Sequence, residues 1–139
     1  MKPTRVAVSE FLASDRLDSV AMLLIASNFA VLLLLMFKAY VSCNLNGLDI
    51  GIYNQIMHNM TAGNWSMETS IEWDRSHFGF HNQSIMYLFY PIYALFPSAF
   101  TLGVLQALTL SLAALALYRL SLIRLGNKVL GLLTLAVFL

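Results

Sequence analysis

Two sets of residues in this chain have the types and spacing to do chemistry. The first is a single carboxylate, Asp49, at the head of an apolar repeat in which Leu48, Ile52, Ile56 and Met60 recur every four residues. That spacing predicts a short amphipathic helix from about residue 49 to 62, stopping at Gly63. One reading makes Asp49 a helix N-cap, its carboxylate accepting backbone N–H bonds and favouring the positive end of the helix dipole. The other makes it a fixed carboxylate just beyond a long apolar segment, able to act as a general base or to bind a cation. A carboxyl group beside a low-dielectric medium titrates more easily than one in water. The two readings are compatible, because a capped carboxylate is also a positioned one.

The second set is Asp74, His77 and His81, whose i, i+3, i+7 spacing on a helix would aim three ligands at one divalent metal. Against it, Gly79 weakens a helix at that point and Arg75 is placed to pair with the neighbouring acids. No glycine-rich phosphate cradle and no elbow-type serine accompanies these residues. Cys43 is the only cysteine, which excludes an intramolecular disulfide and a cysteine-built zinc site. The near-lipoprotein box Tyr40-Val41-Ser42-Cys43 has Tyr where a small aliphatic residue is wanted, so the preceding segment reads as a plain anchor. The sequons at Asn59, Asn64 and Asn82 read as coincidence in an Asn-rich stretch.

The elements that must position these groups are apolar. Hydrophobic residues make up 59% of the 139 and charged residues 11%, with a mean hydropathy of +0.72. Soluble domains carry roughly a quarter charged residues, so the composition predicts an all-α integral membrane protein. A net charge of +1 without a basic patch argues against nucleic acid.

Residues 1–19 form a mixed-charge segment, 20–39 a first span, and 40–98 a large loop. Residues 99–118 form a second span, 119–128 a link, and 129–139 the start of a third span. Ser27 and Asn28 inside the first span read as helix-packing groups. Within the loop, residues 85–96 are apolar but too short to cross the bilayer and are punctuated by Pro91 and Pro97. They are expected to lie along the membrane surface, with Tyr87, Tyr90 and Tyr93 at headgroup depth. The third apolar segment stops short of the roughly 20 residues a span needs, so the chain reads as the N-terminal part of a larger multi-pass protein.

Charge sets the expected orientation in the cell membrane. Lys2, Arg5 and Arg16 precede the first span, and Arg119, Arg124 and Lys128 follow the second. The loop holds only Arg75, with Lys38 at the membrane edge. The positive-inside rule then puts the N-terminus and the 119–128 link in the cytoplasm and residues 40–98 outside.

Leu48-Asp49-Ile50-Gly51-Ile52-Tyr53-Asn54-Gln55 resembles the F-D-L-G-I-Y-D-Q signature of a family of polytopic membrane proteins, domain of unknown function 2079, grouped with the GT-C glycosyltransferases. His77-Phe78-Gly79-Phe80-His81 followed by residues 87–97 resembles its H-F-x-x-H…P-x-Y-x-x-x-P stretch. Thr101-Leu102 with Gln106-Ala107-Leu108 matches its T-L-x-x-x-Q-A-L. Order and spacing agree over about residues 47–120. The chain departs from the pattern where Asn54 replaces a second acid, and where Asn82-Gln83-Ser84 replaces Phe-Ser-Pro.

The resemblance implies a GT-C-like helical bundle with a large first outer loop. It also implies inverting transfer of a sugar from a polyprenyl-phosphate donor to an acceptor hydroxyl. Asp49 would be the catalytic carboxylate, and Tyr53, Gln55, His77 and His81 would contact substrate or a divalent cation. The remaining helices of a full-length protein would complete the site. The competing expectation is a non-enzymatic scaffold or transporter component whose outer loop binds a partner.

Overall fold

The computed structural model describes residues 5–45, 49–70, 76–79 and 81–139, with residues 5–15 in backbone only. Five helices are present among them: α1 (Arg5–Val41), α2 (Asp49–Thr61), α3 (Ile85–Leu95), α4 (Ala99–Leu125) and α5 (Lys128–Phe138). A 3₁₀ turn covers His77–Gly79, and one isolated antiparallel bridge joins Glu68 to Ser76. Leu48, Asp74 and Arg75 lie outside the described residues.

Two helices are long and apolar enough to cross a membrane, over Arg16–Val41 and Ala99–Leu125. α1 holds neither Gly nor Pro along its 37 residues, so nothing in its backbone chemistry interrupts it. It begins well before residue 20, taking most of the N-terminal segment into the helix. α4 likewise runs past residue 118 to Leu125. Arg119 and Arg124 therefore lie on the helix and not in a loop, as suits a side chain with good helix propensity. The true link is Gly126 and Asn127. Gly126 takes a left-handed φ of 61°, the usual stop for a helix. The Asn127 side chain then caps α5, accepting from the N–H groups of Val129 and Leu130 at 2.9 and 3.2 Å.

The chain divides into two compact units, residues 1–32 with 107–139, and residues 33–106. In the first, Ala21, Ala114, Tyr118 and Leu135 form the core, flanked by Ile25, Leu122 and Leu132. Its helices meet at a polar contact centred on Asp18. Asp18 accepts from the Tyr118 hydroxyl at 2.7 Å through one oxygen and from the Lys128 ammonium through the other, joining α1, α4 and α5. In the second unit, α2 packs on α3, and a Cβ at Gly103 would fall 2.3 Å from the Met36 side chain. Glycine at 103 is what lets Met36 seat there.

Candidate functional site

The second unit is built around one face of α2. Ile56, Met57 and Met60 are buried together with Met67 from the following loop and Met86 and Tyr93 from α3. Ile52, Tyr53, Phe89, Tyr90 and Leu102 pack around them. The four-residue repeat read from the sequence supplies three of these α2 positions; Met57 widens the stripe to the width that a helix on a globular core presents. α2 stops where expected, with Gly63 at a φ of 89°.

Side-chain amides fasten the loop after α2 to the helix. Gln55 Oε1 accepts from Thr69 Oγ1 and the Ser70 N–H, each at 3.0 Å. Asn59 donates to the Glu68 carbonyl at 2.9 Å, and Asn64 donates to the Glu68 carboxylate at 2.7 Å. Met67 adopts a φ of 53°, a costly conformation for a side chain other than Gly, and its side chain is fully buried. The His77 N–H donates to the Met67 carbonyl at 2.9 Å, and Ser76 Oγ donates to the Ser66 carbonyl at 2.7 Å. These bonds bring residues 76–79 back against the start of α2.

Three of the expected site residues meet as a result. The Tyr53 and His77 rings contact edge to face with centroids 5.4 Å apart, and His77 and His81 lie 5.3 Å apart. His77 is only 3% exposed, whereas His81 is open to solvent. Gln83 donates to the Tyr53 hydroxyl at 2.7 Å. Asp49 is the first residue of α2 and exposed. It stands one helical turn before Tyr53, so the two share a face. As the first helical residue it supplies charge to the helix N-terminus. The Gln55 amide is committed to Thr69 and Ser70 in this arrangement.

His77 and His81 do not share one helix, and Asp74, the third member of the expected triad, lies outside the described residues. The helix-like turn ends at Gly79 and His81 lies outside any helix, although its N–H still donates to the His77 carbonyl at 2.9 Å. Among the described residues no group of three or more His, Cys, Asp or Glu side chains converges in a metal-holding arrangement.

Some participants carried no signal in the sequence. Asn54, noted only as a missing acid, accepts from the buried Tyr93 hydroxyl at 2.8 Å. Burial raises the Tyr93 pKa above that of an ordinary tyrosine, which keeps the hydroxyl a donor. Trp65 lies edge-on to Tyr90 at 4.5 Å and stacks on Tyr87 at 6.3 Å, and Phe78 approaches Tyr87 at 6.1 Å. Nothing in the local pattern of residues 64–67 announces that cluster.

A helical membrane protein with a folded polar lobe between its two span-length helices is the class these features define. Residues 39–139 match the family described as predicted membrane protein (DUF2079), and the chain belongs to that family. No curated protein and no solved structure matches the chain.

Proposed function

We propose that the protein is part of a GT-C-like membrane glycosyltransferase and that Asp49 is its catalytic carboxylate. The observation carrying this reading is the placement of Asp49: exposed, fixed at the first turn of α2, and one turn from the Tyr53–His77–His81 group. In the reaction, the acceptor hydroxyl gives its proton to the Asp49 carboxylate as its oxygen attacks the sugar C1. The C1–O bond to the donor phosphate breaks, the polyprenyl phosphate leaves with the electron pair, and the configuration at C1 inverts. Tyr53 and His81 line the approach as hydrogen-bonding and ring-stacking groups, buried His77 packs against both, and Gln55 holds the loop that leads to His77. The lobe of residues 40–98 faces the outside of the cell membrane, with the N-terminus and the 119–128 region in the cytoplasm.

The test is transfer by the full-length protein in membranes, using a panel of polyprenyl-phosphate-linked hexoses as donors. Asp49→Asn removes the base and leaves a residue that is well tolerated at a helix start. Transfer by wild type and none by Asp49→Asn is the expected result. Wild-type rates in the Asn variant would take Asp49 out of the mechanism, leaving a partner-binding lobe as the better account.

A further inference from the structure

α3 is covered by protein on one side only. Met86 and Tyr93 are buried against α2, with Phe89 and Tyr90 packed beside them. The opposite side carries Leu88, Ile92 and Leu95, spaced i, i+4, i+7 and therefore in one stripe. Leu88 is 69% exposed and Leu95 74%. Ile85 at the start of the helix and Phe96 just past its end extend the stripe, and both are exposed. No charged residue occurs anywhere in α3. Along the border between the covered and bare sides, Tyr87 and Tyr90 gather Trp65 and Phe78 into the aromatic cluster. The Tyr87 hydroxyl fixes it by donating to the Trp65 carbonyl at 2.7 Å.

Two facts indicate what lies against the bare stripe. α3 has 11 residues, about 16 Å of helix, which cannot cross roughly 30 Å of hydrocarbon. Yet α4, a span-length helix, begins at Ala99, three residues after Phe96, so α3 cannot be far from the membrane boundary. An apolar stripe bordered by Trp and Tyr is the pattern of a helix lying in the bilayer interface. A protein-binding patch would be expected to carry a polar rim. We propose that α3 lies flat in the outer leaflet surface. Leu88, Ile92 and Leu95 sit among the acyl chains, and Trp65, Tyr87, Tyr90 and Phe78 sit at headgroup depth. The occupant of the stripe is bilayer lipid. α2, docked on the far side of α3, is then held about one helix diameter, roughly 10 Å, above the acyl chains. This seating is independent of any role for Asp49.

The experiment uses the full chain in phosphatidylcholine–phosphatidylglycerol nanodiscs, in a Cys43→Ser background. Spin labels are placed at Leu88→Cys and Leu95→Cys, and at His58→Cys on the exposed side of α2 as the aqueous reference. Collision with oxygen is compared with collision with a water-soluble nickel chelate. The oxygen-to-nickel ratio should be several-fold higher at 88 and 95 than at 58. In a separate Trp73→Phe protein with the stripe intact, Trp65 fluorescence should be quenched more by lipids brominated near the headgroup than by lipids brominated deep in the chain. Nickel collision at 88 and 95 matching that at 58 would overturn the proposal in favour of water. Low collision with both reagents would overturn it in favour of a covering protein segment. A Trp65 untouched by either bromolipid would leave the aromatic cluster outside the membrane interface and would equally overturn it.

Discussion

The two units solve the same problem with different materials. In the unit of residues 1–32 and 107–139, apolar helices are joined through the Asp18 anchor to Tyr118 and Lys128. The unit of residues 33–106 has a comparable apolar core, but amide hydrogen bonds from Gln55 and Asn59 tie loop to helix, Asn64 braces the loop at Glu68, and Asn54 joins α2 to Tyr93 of α3. Apolar helices satisfy their own backbone groups and need few polar contacts to hold register. A loop folded onto a helix has unsatisfied backbone groups, and side-chain amides are what satisfy them. The consequence is a division of labour. The first unit depends on side-chain identity mainly at its Asp18 anchor, whereas the second depends on it at several amides.

The largest effect should come from the shared core of α2 and α3. Ile56→Ala removes a fully buried side chain and should cost about 2–5 kcal/mol. Hydrogen exchange would show whether the units are separable: amides of α2 and α3 should lose protection while those of α5 keep theirs. Loss of protection in both would mean that the comparison between units has no energetic content.

The polar fastenings come next. Gln55→Ala leaves the Ser70 N–H and the Thr69 hydroxyl without the amide that accepts from them, at a cost of about 1–3 kcal/mol. Protease cleavage within residues 64–79 should accelerate in membranes, with helix content unchanged. Asp18→Asn preserves an acceptor for Tyr118 but loses the charge that holds Lys128. Because both charged side chains are partly exposed, only about 0.2–1 kcal/mol should be lost, and added salt should shrink the difference. A larger loss at Asp18 than at Gln55 would reverse the ranking of the two units.

The effect most confined to one pH range belongs to Tyr93. Burial holds its pKa above the ordinary value, so the folded lobe binds the phenolic proton more tightly than the unfolded chain does. The stability this provides is complete below the unfolded tyrosine pKa of about 10 and is lost as pH rises through the higher folded value. Thermal midpoints measured across that alkaline range should fall in wild type and flatten in Tyr93→Phe. The Phe variant should also lose about 1 kcal/mol at neutral pH along with the bond to Asn54.

The sequence made the helices legible because their signals are local. The apolar run before Lys38, the four-residue repeat after Asp49 and the stop at Gly63 each act within a few residues. Helix ends were less legible: residues 1–19 and 119–125 carry charges that suggest loops, yet Arg and Glu extend helices readily. Pro91, read as punctuation, lies inside α3, and the helix ends before Pro97 instead. The contacts between distant residues were not legible. Asn54 meets Tyr93 39 positions away and Lys128 meets Asp18 110 positions away. No periodicity reports a partner at that distance. Lys128 and Arg16 could be read as orientation signals, but the pairing of Lys128 is a property of the fold.

The central claim is that Asp49 is held by the lobe without holding it together. The most direct measurement pairs initial transfer rate with thermal midpoint for Asp49→Asn and Gln55→Ala in the full-length protein. Asp49→Asn should abolish transfer while leaving the midpoint near wild type, and Gln55→Ala should lower the midpoint. An Asp49→Asn protein that transfers sugar at the wild-type rate, or that loses transfer only in proportion to a lowered midpoint, would contradict the account.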